Sequence, residues 1–245
     1  VLHNMPPGDW AAGDRGLAQD FCDLIAPMVW RVGGHDDFVP AVQAMRKRVI
    51  SLIPAREADA EIKLGAGGLR DTEFSVQLLQ LVHGRSDERL RCSGTFSGLD
   101  ALVRNGYVGR EDGAKLADAY RFQRVLEHRA QLAQLRRTHL LPADDPGRRR
   151  IARSMGLAGA SELVDAYHAS KRRVLKLHQR LFYSPLLEAV ARIPSDAVRL
   201  TSDAAAPLSA TSGAPRRPGH PAPRAVVAGE PTLIHRQDQP VLARA

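Results

Sequence analysis

The chain has 245 residues, of which 44% are hydrophobic, 25% charged and 5% aromatic. This composition supports a sizeable core and excludes collagen-like, purely coiled-coil and wholly disordered chains. It also supplies few rings for stacking single-stranded nucleic acid. Thirty-five Lys and Arg residues against 27 Asp and Glu give a net charge of +8. The basic residues cluster at Arg136-Arg137, Arg148-Arg149-Arg150 and Lys171-Arg172-Arg173, a pattern that suits solvated helix surfaces or a phosphate-bearing or acidic partner.

The longest apolar run, Leu24 to Trp30, contains Pro27 and is too short to span a bilayer, so no membrane association is expected. Val1 to Trp10 carries neither a basic segment nor an apolar stretch of the kind that opens a secretory leader. Cys22 and Cys92 cannot build a disulfide framework or a Cys-rich zinc site. A reducing cytoplasm is the compartment expected by default.

In chain order, residues 1–15 form an unpatterned leader. Apolar periodicity then predicts helices over Leu17–Val29 and Asp36–Ile53, the second capped by Asp36 or Asp37 and stopped before Pro54. Asp71–Val82 carries an apolar stripe of Phe74, Leu78, Leu81 and Val82. Thr95–Asn105 opens on a hydroxyl cap and closes on Gly106. A long helix is predicted over Glu111–Leu141, ending at Pro142, with apolar residues on more than one face. Asp144-Asp145 reads as the cap of a short helix with Pro146 at its first position and Gly156 as its terminator. Ser161–Phe182 follows, with Leu163, Tyr167, Val174, Leu177 and Leu181 on one stripe, and Pro185 opens a last turn towards Arg192. The fold class is therefore all-α, an antiparallel multi-helix bundle over 16–200 interrupted by one glycine-rich loop. From 201 to 245 the chain is Pro-rich and aperiodic, and a disordered tail is expected.

The glycine-rich loop is where chemistry is best placed. In Lys63-Leu64-Gly65-Ala66-Gly67-Gly68-Leu69-Arg70-Asp71-Thr72-Glu73, three glycines lead directly into a helix N-terminus. Such a loop lets backbone amides approach an anion, and Lys63 and Arg70 add cationic donors. Lys63, Gly65, Gly67, Gly68 and Arg70 are accordingly candidate nucleotide- or phosphate-binding residues. Asp71 and Glu73 are candidates for orienting the loop; capping the helix or holding a metal are the other uses open to them. A tight loop with an acidic first helical turn is the purely structural alternative. Neither a dinucleotide G-x-G-x-x-G nor a phosphate-loop Gly-Lys-Ser/Thr is satisfied. On this reading a substitution at Gly67 or Gly68 should harm activity more than stability.

His128 and His139, eleven residues apart on the predicted long helix, have no third ligand at metal spacing, so no metal site is expected. Glu127-His128-Arg129 fits a helix surface or a buried hydrogen-bonding patch. Cys92 lacks a paired histidine and is a poor thiol nucleophile. Basic clusters on long helices without a short recognition helix make nucleic-acid binding an unfavoured reading.

The segment Lys63 to Phe74 with Val76 to Leu81 resembles the bifunctional glutamine synthetase adenylyltransferase/adenylyl-removing enzymes. The likeness continues through Ala119-Tyr120-Arg121-Phe122, Leu126-Glu127-His128-Arg129, Thr138-His139-Leu140-Leu141-Pro142 and Leu181-Phe182-Tyr183. It is similar to the helical module that follows their first nucleotidyltransferase domain, a module type shared with PII uridylyltransferases. Thr72 stands where an aliphatic residue is usual, and the likeness stops abruptly before Arg15 and after about Asp203, as it would in a truncated or frame-shifted fragment.

The resemblance implies reversible transfer of AMP to a tyrosine of glutamine synthetase, with ATP or ADP and magnesium as the full-length family enzyme's cofactors. Glutamine synthetase, the PII signal protein and a separate nucleotidyltransferase domain are the implied partners. The family's catalytic Asp-x-Asp occurs nowhere in the 245 residues. No catalytic residue is therefore assigned, and the chain alone is expected to be inactive. The alternative is a non-catalytic regulatory module that docks onto glutamine synthetase or PII.

Overall fold

The computed structural model describes residues 13–193. The expected Pro-rich tail, 201–245, and residues 1–12 of the expected leader lie outside the described residues.

Eight α-helices occur among the described residues: α1 Arg15–Val32, α2 Phe38–Ser51, α3 Leu69–His83, α4 Thr95–Arg104, α5 Arg110–Gln134, α6 Asp145–Ser154, α7 Ala160–Phe182 and α8 Pro185–Arg192. A single 3-10 turn, Glu88–Leu90, lies between α3 and α4. Extended pairing among these residues is limited to one antiparallel bridge, Glu61 with Leu140. The all-α fold expected from periodicity is the fold observed. No helix among the described residues is long and apolar enough to cross a membrane.

Local chemistry sets the ends. Asp14 caps α1 by accepting from the Leu17 amide at 2.8 Å, and Asp144 caps α6 by accepting from the Gly147 amide at 2.7 Å. Gly106, with φ of +80°, stands just past α4 in the conformation expected of a helix-ending glycine.

Four local expectations are corrected. Asp37 occupies the cap position of α2 without a side-chain bond, and the helix starts at Phe38. Thr95 lies inside the first turn of α4 behind Gly94, so its hydroxyl is not the cap. Pro146 is the second residue of α6, not the first. The largest correction is in α5, which ends at Gln134 instead of running to Leu141. Leu135 turns the chain through a left-handed conformation (φ +48°), and 139–141 run extended beside 60–62. Ile62 donates to the His139 carbonyl at 2.8 Å and Leu141 to the Ala60 carbonyl at 2.9 Å. His128 and His139 are therefore not on one helix.

Two apolar cores are stacked along the long helices. One gathers Val76, Leu78, Val82, Leu99, Leu102, Leu116, Val174, Leu177, Phe182 and Leu187. The other gathers Ile62, Leu69, Tyr120, Leu126, Ala130, Ile151, Leu163 and Tyr167. The N-terminal part of α5 enters the first core with the C-terminal part of α7, and the remaining parts enter the second, so α5 and α7 run antiparallel. Each wholly buried Leu or Ile contributes roughly 1.5–3 kcal/mol to folding.

The helix α3 is buried around most of its circumference, not along one stripe. Leu78 and Val82 are in the core, Phe74 and Leu81 are half-buried, and Asp71, Thr72, Ser75 and Gln80 are buried as well.

Candidate functional site

Between the two cores runs a layer of buried polar side chains, and the glycine loop is clamped into it. Arg46 of α2 is fully buried. It donates to Asp71 Oδ1 at 2.7 Å, the Leu64 carbonyl at 2.9 Å and the Gly65 carbonyl at 3.1 Å. Asp71, also fully buried, accepts from the Gly67 amide at 2.6 Å through its other oxygen. From α5, Gln123 donates to the Gly67 carbonyl at 2.8 Å and to Ser170 Oγ of α7 at 3.3 Å. His178 Nδ1 lies 2.8 Å from Ser75 Oγ, and its Nε2 stands 3.3 Å from Asp71 Oδ1 outside hydrogen-bonding geometry. Burial holds the His178 ring below the usual histidine range, against the pull of Asp71.

Four helices thus grip one loop, and the glycines are small because protein fills the space around them. Gly67 has φ of +75°, and a Cβ there would meet the Lys171 carbonyl oxygen at 2.3 Å. At Gly68 a Cβ would meet the Ile62 carbonyl oxygen at 2.5 Å. The first amides of α3 are likewise taken: Leu69 donates to the Ile62 carbonyl, Arg70 to the Lys63 carbonyl and Asp71 to the Gly68 carbonyl, at 3.0–3.1 Å. The helix N-terminus that looked open in the sequence is closed by its own chain. The expectation that Gly67 and Gly68 serve activity more than stability is therefore revised, since their immediate neighbours are backbone atoms.

The cationic candidates lie elsewhere. The bridge between 60–62 and 139–141 carries the chain into Lys63 beside His139, and both reach Glu127 of α5. Glu127 accepts from Lys63 Nζ at 3.2 Å and Arg124 Nη1 at 2.8 Å, and lies 3.0 Å from His139 Nδ1. Its side chain is 2% exposed, whereas Lys63, Arg124 and His139 are 21%, 35% and 23% exposed. Of the two readings of Glu127-His128-Arg129, Glu127 follows the buried patch, while His128 and Arg129 are exposed.

One turn before Arg124, Tyr120 donates to Glu73 Oε1 at 3.1 Å, and Glu73 Oε2 accepts from Arg70 Nη1 at 3.1 Å. Burial, more than the nearby Glu73 charge, pushes the Tyr120 hydroxyl above its ordinary range. Glu73 therefore orients Arg70, whereas Asp71 orients Gly67 and Arg46. The two carboxylates do not converge.

Sequence reasoning passed over Arg46, Gln123, His178 and Arg124. A signal existed for the first three. Arg46 continues the Val39, Val42 spacing of α2, Gln123 falls between Tyr120 and Leu126, and His178 follows Val174 on its stripe. A polar residue at an apolar register position is a buried polar residue in need of partners. Arg124 carries no such mark.

Among the described residues no group of three or more His, Cys, Asp or Glu could hold a metal ion. Magnesium is not matched by this set: Asp71 is spent on Arg46 and Gly67, and Glu73 on Arg70 and Tyr120. Burial raises the Cys92 thiol, which fits its reading as a poor nucleophile.

Residues 43–182 match the family model described as GlnD PII-uridylyltransferase. The chain is 53% identical over 194 residues to the bifunctional glutamine synthetase adenylyltransferase/adenylyl-removing enzyme of Cutibacterium acnes, covering 79% of this chain and 20% of that protein. The enzyme of the same name from Streptomyces avermitilis is 52% identical over 197 residues, with 79% and 20% covered. That of Nocardia farcinica is 49% identical over 213 residues, with 84% and 21% covered. The chain thus spans about a fifth of the length of the curated relatives it matches. The resemblance carried by the glycine loop holds across the helical body, and with more than half its residues inside the family match, the chain belongs to the GlnD PII-uridylyltransferase family.

Proposed function

We propose that 16–200 is the helical module of an enzyme that moves AMP to and from a tyrosine of glutamine synthetase in the control of nitrogen assimilation. In this reading the module stands beside a nucleotidyltransferase domain that carries the carboxylates and magnesium, acting on ATP or ADP in the cytoplasm. The observation that carries it is identity near 50% to adenylyltransferase/adenylyl-removing enzymes over 79% of the chain. That span takes in the loop, α5 and the 139–141 segment. Glutamine synthetase is the proposed substrate protein and PII a proposed regulator.

Within the module, the proposed phosphate contacts are the side chains of Lys63 and Arg70. The backbone of Gly65, Gly67 and Gly68 acts as the rigid support that sets them. Electrostatic stabilisation and positioning carry most of such a transfer, so fixed cations beside a reacting phosphoryl group are the contribution a helical module can make.

Replacing the matching segment of the Cutibacterium acnes enzyme with 16–200 of this chain tests the proposal. The chimera is expected to keep AMP transfer and removal within tenfold of the parent. The isolated chain, mixed with adenylylated glutamine synthetase, phosphate and magnesium, is expected to release no ADP. A folded chimera without either activity overturns the reading.

A further inference from the structure

Glu127 carries one negative charge and is approached by three basic groups from three separate parts of the chain. Lys63 comes from the loop, Arg124 from the preceding turn of α5, and His139 from the segment paired with 60–62. One lysine or arginine would balance this carboxylate. Here both are present, with the imidazole beside them.

The basic side chains are the exposed part of the cluster. Arg124 uses one Nη on Glu127 and leaves the rest of a side chain that is 35% exposed. Lys63 makes one bond through Nζ, and His139 meets Glu127 through Nδ1. The buried carboxylate therefore anchors three partly exposed side chains, of which Arg124 and Lys63 keep N–H donors beyond the single bond each makes to Glu127. The two glutamates that flank the glycine loop are engaged elsewhere. Glu73 is taken by Arg70 and Tyr120, and Glu61 accepts the Lys63 and Leu64 amides while its charge acts on Tyr167 and Lys171.

We infer that Lys63, Arg124 and His139, held by Glu127, form a binding site for a phosphate group, either free phosphate or the terminal phosphate of a nucleotide. The chemistry fits that ligand. A phosphate dianion accepts several charge-assisted bonds at once, a guanidinium and an ammonium supply them, and a pre-oriented cluster avoids the ordering that flexible surface side chains would require. The inference rests on the adenylyl-transfer reading only for the source of the phosphate.

The test is titration of the full chain with inorganic phosphate and, separately, with ADP, at constant ionic strength set by chloride and followed by backbone amide NMR. Constant ionic strength removes generic screening. Saturable shifts are expected at Lys63, Arg124, Glu127 and His139. Arg124→Gln and Lys63→Gln should each weaken binding at least tenfold, and Lys63→Arg should restore most of it. Arg149→Gln, on the exposed face of α6, should change nothing. Thermal melts identify any variant that fails to fold; His139→Gln, outside every helix, then serves in its place.

Tighter binding of ADP than of phosphate at these residues assigns the site to a nucleotide. Equal binding assigns it to free phosphate. Absence of saturable shifts, or equal weakening by Arg149→Gln, overturns the inference. Because binding is read without AMP transfer, an inactive chimera with intact phosphate binding would sink the enzymatic reading alone.

Discussion

Asp71 and Glu127 are both buried carboxylates met by an arginine, yet their surroundings differ completely. Around Asp71 everything is closed: Arg46 has no exposure, His178 is 2% exposed, and the second oxygen holds a backbone amide. Around Glu127 each basic partner keeps a fifth or more of its side chain in contact with solvent. In the first case charge is consumed in joining helices. In the second, a buried charge presents cations to the outside. The difference separates an internal clamp from a partly open cationic cluster, although Asp71 bonds the glycine loop at Gly67 and Glu127 bonds it at Lys63.

The contrast predicts a large effect at the first carboxylate. Asp71→Ala leaves Arg46 buried without its counter-charge and frees the Gly67 amide, which should cost about 3–5 kcal/mol. Chemical denaturation of the variant measures it. A loss below 1 kcal/mol would mean that water reaches this layer and that the two carboxylates are alike.

A second effect concerns two glycines with nearly the same backbone. Gly67 and Gly106 have φ of +75° and +80°, but a Cβ at Gly106 would meet nothing within 4 Å. Gly106→Ala should therefore show left-handed strain alone, about 1 kcal/mol, while Gly67→Ala adds overpacking for a total on the order of 3 kcal/mol. Equal losses in urea unfolding would show that the loop yields at Lys171 and is not clamped.

The smallest effect belongs to the open carboxylate. Lys63→Gln leaves Glu127 with Arg124 and His139, so stability should fall by less than about 1 kcal/mol. A drop as large as that of Asp71→Ala would make Lys63 part of the internal clamp.

Much of the helical framework was legible in advance because amphipathic spacing and caps are local. The C-terminal ends of α3 and α7, the bounds of α8 and the cap at Asp144 follow from a few adjacent residues, whereas α3 starts at Leu69, two residues before the expected Asp71. What the sequence did not reveal was long-range closure. Nothing near Gly67 says that the Lys171 carbonyl will fill its vacant side. Nothing near Leu135 says that α5 will stop there so that 139–141 can pair with 60–62. Lys63 was recognisable as a cation, but its partner lies 64 residues away. Arg46, in the run Met45-Arg46-Lys47-Arg48, looks like solvated surface until its place on the α2 stripe is counted.

The polar layer also fixes how far each helix can slide along its neighbours. Apolar ridges repeat with every turn, so α5 and α7 could shift by one turn, about 5.4 Å, and still meet Leu and Val across the gap. Gln123, Ser170 and the Gly67 carbonyl have no such repeat. Displaced by one turn, the Gln123 amide would leave both Ser170 and the Gly67 carbonyl, and a slide of α2 along α3 would take Arg46 away from Asp71. These few hydrogen bonds act as an alignment pin between smooth surfaces. They set the axial position of α3, α5 and α7, and with it where Lys63, Arg124 and His139 come together.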